Sequence, residues 1–249
     1  MEQDILTEIE EIQEKLDTTY LVLSEKISNL KKRIEKHNFL HQNCANKGFS
    51  DIPLSTITFE EVAELANTAN EFPAHILIDK LSDQEKTTTV IVRIATDGSI
   101  VNKRGRKVGA YAVYYSEASP LNEAGLVNNT ASSMLPEVAA IVRALQISKD
   151  EGLQMIIMLI TDKMASIIFT SLAKQPATNS RKLQEFLSEN PKLEDYAQQI
   201  ETLMKSFRFV AIVWQKSHTN ERTVNSRANE AADTLARERA NEILMKLTQ

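Results

Sequence analysis

Thr89-Val-Ile-Val-Arg-Ile-Ala-Thr-Asp-Gly-Ser99 runs from an apolar strand pattern into an acidic turn within eleven residues. Its first seven residues are mostly β-branched and apolar, the composition of a strand, and they stop abruptly at Asp97-Gly98-Ser99. Working outward, Gly109 to Tyr115 reads as a second strand and Ala124 to Val127 as a third. Ser133 to Asp150 is a helix, with Pro136 tolerated in its first turn. Met155-Ile-Ile-Met-Leu-Ile160 is nearly all apolar, as expected of a central strand covered on both faces. Short helices follow over Met164 to Leu172, Arg181 to Leu187 and Leu193 to Phe207. A last strand spans Phe209-Val-Ala-Ile-Val-Trp214, and a closing helix runs from Ala228 to Leu247. This order of elements predicts an α/β domain, a mixed sheet with helices on both faces.

Upstream the pattern differs. Residues 1–44 carry Ile5, Ile9, Ile12, Leu16, Tyr20, Leu23, Ile27, Leu30 and Ile34 at alternating steps of three and four, with charged residues between them. So narrow an apolar seam predicts a long amphipathic helix that forms a coiled coil, through self-association or a protein partner. Residues 45–86 read as a linker. Within it Thr58-Phe-Glu-Glu61 is a capping box that starts a helix from Phe59 to about Ala69. His75-Ile-Leu-Ile78 is a short strand, and Ser82 to Lys86 a polar turn. The α/β domain then occupies residues 87–249.

The chain has 249 residues, a formal net charge of −5 and a single cysteine, Cys44. One cysteine excludes an intramolecular disulfide and points to a reducing, intracellular setting, cytoplasm or nucleus. No apolar run reaches membrane-spanning length, so no membrane partner is expected. The acidic total makes any contact with a polyanion depend on local basic patches. His37, His41 and Cys44 show no fourth ligand, which argues against zinc. The sequon at Asn128-Asn-Thr130 has no secretory context to give it meaning.

Four acids stand out by position: Asp97 and Asp162 end apolar strands, while Glu137 and Asp233 lie in helical patterns. Carboxylates converging from separate elements are what hard divalent cations require, because magnesium takes oxygen ligands and gathers negative charge. A single such Asp is ordinarily a turn or capping residue; four of the right type, order and element are not.

These residues carry a family resemblance. From about Thr88 to Ala240 the chain resembles a type 1 ribonuclease H domain. The likeness rests on Thr96-Asp-Gly-Ser99, Leu135-Pro-Glu-Val-Ala-Ala-Ile-Val-Arg-Ala-Leu145, Leu159-Ile-Thr-Asp162, and Trp214-Gln-Lys-Ser-His218 followed by Asn229-Glu-Ala-Ala-Asp-Thr-Leu-Ala236. It implies a ribonuclease H-like mixed five-stranded sheet with the first and fourth strands adjacent and parallel, here preceded by the long helix. It also implies a metal-dependent endonuclease that hydrolyses the RNA strand of RNA–DNA hybrids with two magnesium ions, manganese being an alternative. Asp97 would bridge both ions, Glu137 and Asp162 would hold the one on the leaving-group side, and Asp233 the one that activates water. His218 would assist proton transfer or product release. Discrimination of RNA would come from donors near Gly98, Ser99, Asn129, Ser132 and Ser133 that reach 2′-hydroxyls. Lys103, Arg104, Arg106 and Lys107 would grip phosphates from the hairpin between the first two strands.

The family's Gly-Pro-rich turn after the first motif is replaced by Asn102-Lys-Arg-Gly-Arg106, and Lys163 follows Asp162 where Ser is frequent. Met134-Leu135-Pro136 stands where Asn-Arg usually precedes the helix glutamate. These departures are similar to those of retroelement ribonuclease H domains. Two other functions compete. An exonuclease of the same fold would carry Asp-x-Glu on its first strand, but Ser99 stands at that place. A catalytically weak or inactive binding or interaction protein is the remaining alternative.

Overall fold

The computed structural model describes residues 52–68, 75–88, 90–103, 105–127, 132–160, 191–214 and 223–247, with Thr19, Leu23, Ser24 and Ile27. Met1–Ile52 and Pro53–Gln249 form two separate compact units. The second holds a seven-stranded sheet in the order β2-β7-β6-β3-β4-β5, with β1 set beside β3. The strands are β1 (Thr56–Thr58), β2 (His75–Asp79), β3 (Val90–Lys103), β4 (Arg106–Tyr114), β5 (Glu123–Val127), β6 (Met155–Ile160) and β7 (Phe209–Trp214). Around them lie the helices α1 (Phe59–Thr68), α2 (Asp83–Thr88), α3 (Met134–Asp150), α4 (Pro191–Met204) and α5 (Val224–Leu247). No helix among the described residues is long and apolar enough to cross a membrane.

Strands β3 to β7 are the five expected from sequence. β3 is parallel to β6 and β6 to β7, while β3, β4 and β5 pair antiparallel. The register aligns the ends of the parallel strands: Thr96 lies beside Ile160, and Ile160 beside Trp214. The middle of β3, and β6 and β7, are largely apolar on both faces because each face is covered. On one side Ile91, Ala95, Ile157, Leu159 and Phe209 pack with Val62 of α1 and with Ala228 and Ala232 of α5. Alanines at a four-residue spacing let α5 lie close against β3 and β4. On the other side α3 packs on β3 and β4, and α4 on α3. The half-buried Arg143 of α3 donates from Nε and Nη2 to both oxygens of Glu123, each at 2.6 Å, and Tyr111 donates to the same carboxylate at 2.6 Å. This forked pair fixes α3 over β4 and β5.

The segment read as a linker contributes two strands. β1 pairs antiparallel with Val90–Val92 of β3, and β2 pairs antiparallel with β7. The Thr58 capping box forms as expected: Glu61 N–H donates to Thr58 Oγ1 at 3.2 Å and Thr58 N–H to Glu61 Oε2 at 2.7 Å. The polar turn expected over Ser82 to Lys86 is instead α2. A second capping box starts it, with Ser82 N–H donating to Glu85 Oε2 at 2.9 Å and Glu85 N–H to Ser82 Oγ at 3.4 Å.

Candidate active site

Asp97 follows directly on the aligned strand ends and is 6% exposed. Burial of a carboxylate is costly unless hydrogen bonds or a cation compensate it. One of its oxygens accepts the Gly98 N–H at 2.8 Å.

Gly98 explains why the next acid comes near. A Cβ at this position would stand 2.4 Å from Glu137 N, 2.5 Å from the Pro136 carbonyl carbon and 2.7 Å from Pro136 Cβ. The backbone of β3 and the first turn of α3 are therefore in direct contact at Asp97-Gly98 and Pro136-Glu137. Only a residue without Cβ permits this approach. Pro136 is buried here, and its missing N–H would have had no helical partner in the first turn. Ser132 Oγ accepts the Met134 N–H at 3.2 Å, and the exposed Ser133 makes no side-chain cap hydrogen bond. Ser132, Ser133, Ser99 and Gly98 thus lie in the segments that meet at this β3–α3 junction.

Asp233 lies on α5, the helix packed along β3 and β4. Its side chain is 30% exposed, and Arg237, one turn further on, holds Oδ2 at 3.4 Å. Upstream of Asp233 the buried Asn225 and Asn229 each present an Oδ1 with no hydrogen-bond partner among the described residues. Sequence reasoning missed three features here: the space requirement at Gly98, the Arg237 partner and the buried amides. Only the second had a signal, the four-residue spacing from Asp233 to Arg237.

Among the described residues, no three acidic, histidine or cysteine side chains form a metal-holding group. The backbone at Asp97-Gly98 meets that at Pro136-Glu137, and Asp233 is held by Arg237. Asp162, Lys163, His218, Asn129 and Arg104 lie outside the described residues. Lys103 ends β3 while Arg106 and Lys107 begin β4, all exposed. Arg106 Nη1 donates to the carbonyl of Leu247 in the last turn of α5. The oxygen donors of Asp97 and Glu137, one nearly buried, suit a hard divalent cation. A separate groove of about 250 Å³ lies between β4, β5, α3 and α4, lined by Tyr111, Leu126, Arg143 and Tyr196, and it contains none of these acids.

The RNase H family profile matches residues 89–241. RNase H1 from the halophilic archaeon Halobacterium salinarum NRC-1 is 17% identical, with 60% of this chain and 97% of that one covered at a TM-score of 0.40. LC11-RNase H1, solved in complex with an RNA/DNA hybrid, is 16% identical over 61% of this chain and 98% of its own, at 0.40. The foamy viral protease-reverse transcriptase, solved with double-stranded DNA, is 14% identical over 59% and 92%, at 0.43. These scores carry no weight beside the family match. No curated protein matches the chain.

Proposed function

The chain belongs to the RNase H family, and from that premise we propose that it is a metal-dependent endonuclease cutting the RNA strand of RNA–DNA hybrids. One observation supports the reading beyond the family: a nearly buried Asp97 on a strand whose next residue, Gly98, packs directly on the backbone that carries Glu137. Divalent cations bound there, magnesium or manganese, supply Lewis-acid polarisation of the phosphate and a more acidic water.

The protein's own groups hold and orient. Asp97 is the central oxygen ligand, fixed by the adjoining N–H of Gly98. Glu137 comes from a different element, so the two carboxylates approach from different directions. Asp162 and Asp233 complete the donor set; Asp233 does so by exchanging Arg237 for the ion. His218 moves a proton or releases product. Ser99, Ser132, Ser133 and Asn129, with the backbone at Gly98, contact 2′-hydroxyls, the group that separates RNA from DNA. Lys103 and Lys107 of the β3–β4 hairpin take phosphates.

A second reading, a hybrid-binding module of weak catalysis, is favoured by the Asp233–Arg237 pair. Hybrid cleavage with magnesium, compared between the natural chain and Asp97→Asn, decides. The expected outcome is cleavage by the former, loss of it in the variant and an unchanged fold by circular dichroism. Equal cleavage by both rejects the assignment, and hybrid binding without cleavage by the natural chain selects the second reading.

A further inference from the structure

The β3–β4 pair does not stop at the site. It runs from Asp97 opposite Ala112 to Lys103 opposite Arg106. Six residues at about 3.3 Å each carry the tip about 20 Å beyond Asp97. This extension is not a loose flap. Val101, Val108 and Ala110 pack on Ala240, Ile243 and Leu244 of α5. The Arg106 guanidinium closes the arrangement on the Leu247 carbonyl, at the helix end where carbonyls lack partners and the dipole is negative. At the turn, Gly105 takes φ +80°, and no atom lies within 4 Å of where its Cβ would stand. The tip therefore projects into open space.

We propose that this hairpin is a braced arm that holds the sugar–phosphate backbone of the hybrid about 20 Å from the cut, with Lys103 and Lys107 reaching phosphates and Arg106 as the brace. The inference rests on the hybrid-nuclease reading and assigns its outer contact. Gathering like charges on one exposed turn costs stability through repulsion, and an anionic partner offsets that cost. In a chain of net charge −5, such a local patch is where a polyanion would be received. Chain reversal alone would need neither the added ladder nor the guanidinium clamp. Because the arm is already ordered, little conformational entropy is lost on contact.

The test is binding of the full chain, in EDTA, to a fluorescein-labelled hybrid extending about six base pairs, or about 20 Å, on each side of the centre. Anisotropy is followed across salt concentration. In Lys103→Gln/Lys107→Gln the slope of log K against log salt should shrink by about 1.8, about 0.9 for each phosphate no longer neutralised. Arg106→Ala should lower the melting temperature while leaving the slope within about 0.3 of the natural chain. An unchanged slope in the lysine variant overturns the arm, and a slope change in Arg106→Ala overturns its role as brace. A melting scan of the lysine variant separates misfolding from weakened phosphate binding, and charge removal at Lys103 alone then replaces the pair. Hybrid binding without magnesium-dependent cleavage rejects the catalytic reading but leaves the arm standing; absence of binding in EDTA overturns the arm, while cleavage with magnesium decides the catalytic reading separately.

Discussion

Replacing Gly98 by Ala puts one methyl group into the contact between β3 and the first turn of α3, which carries Glu137. The nearest atom would lie at 2.4 Å where ordinary contact begins at 3.4 Å, a deficit of 1.0 Å. Two of the three atoms met are backbone and the third is a proline ring carbon, so no side chain can swing away. β3 is held between β4 and β6 and cannot yield. The start of α3 must therefore retreat by about 1 Å, and Glu137 with it. Overpacking of this kind costs about 1–3 kcal/mol. For a domain of this size that lowers the melting temperature by roughly 2–12 °C. A displacement of about 1 Å in a catalytic group is worth about 10²-fold in kcat.

Two measurements on the purified variant check the argument: a thermal melt and magnesium-dependent hybrid cleavage. Gly152→Ala is the control. Gly152 has φ +71° just beyond the end of α3, so alanine there costs about 1–2 kcal/mol of backbone strain without moving Glu137. Pro136→Ala in the Gly98→Ala background should not rescue activity, since both backbone clashes remain. Gly98→Ala with kcat within about threefold of the natural chain, or Gly152→Ala losing as much activity, would refute the reasoning.

Two further outcomes follow from ion pairs. Glu85 accepts from the Arg208 guanidinium and from the Ser82 N–H and hydroxyl, which lower its pKa from 4.5 to about 2. A carboxylate whose folded pKa is depressed stabilises above its unfolded value and loses that contribution as pH falls through the folded one. The melting difference between the natural chain and Glu85→Gln should therefore be constant near neutrality and shrink from about pH 4.5 towards 2; a difference independent of pH over that window refutes it. Arg237→Ala frees Asp233 from an exposed pair worth about 0.2–1 kcal/mol, so half-saturation of thermal stabilisation by manganese should fall by about 1.4- to 5-fold; an unchanged or raised midpoint argues against exchange of Arg237 for metal.

The sequence is legible where burial dictates composition. β6 and β7 coincide with their expected bounds because strands covered on both faces admit little but apolar residues. The expected helix from Ser133 agrees with α3 to one residue, its entry marked by Pro136. Beyond Asp97, β3 does not read as strand, because Asp97-Gly98-Ser99 looks like a strand end. Its continuation to Lys103 depends on Val101 meeting α5, a contact between residues far apart in sequence. α2 carries a Ser-x-x-Glu signature of the same kind as the Thr58 capping box, but its helix is only six residues long and hides within polar composition. For the site, residue types mark Asp97 and Glu137, whereas the reason they meet lies in what Gly98 lacks, and absence of a side chain has no pattern of its own.

Residues 53–88 bear on the location of the site as well as on stability. β4 pairs with β3 only from Ala95 onward, leaving the earlier residues of β3 open on that side. β1 fills this place at Val90–Val92, Ser55 accepts the Arg93 N–H at 2.8 Å, and β2 covers the free side of β7. The strand ends that this half of the sheet leaves unpaired with it, at Thr96, Ile160 and Trp214, align next to Asp97. The segment also supplies Ile57, Val62 and Leu81, at 3%, 0% and 8% exposure, to the core around Ile91 and Phe209. Losing three aliphatic side chains of this depth costs on the order of 6–15 kcal/mol at about 2–5 each, comparable to the whole stability of a domain. A chain beginning at residue 87 should therefore aggregate or melt without cooperativity, although it retains all four acids. A chain beginning at residue 45 should keep the natural melting temperature of this unit and lose only the self-association expected of the amino-terminal helix, where Leu23 and Ile27 are each 53% exposed. Cooperative unfolding of the chain from residue 87 would show that the extension is dispensable packing; an unchanged oligomeric state for the chain from residue 45 would refute self-association through the amino-terminal helix.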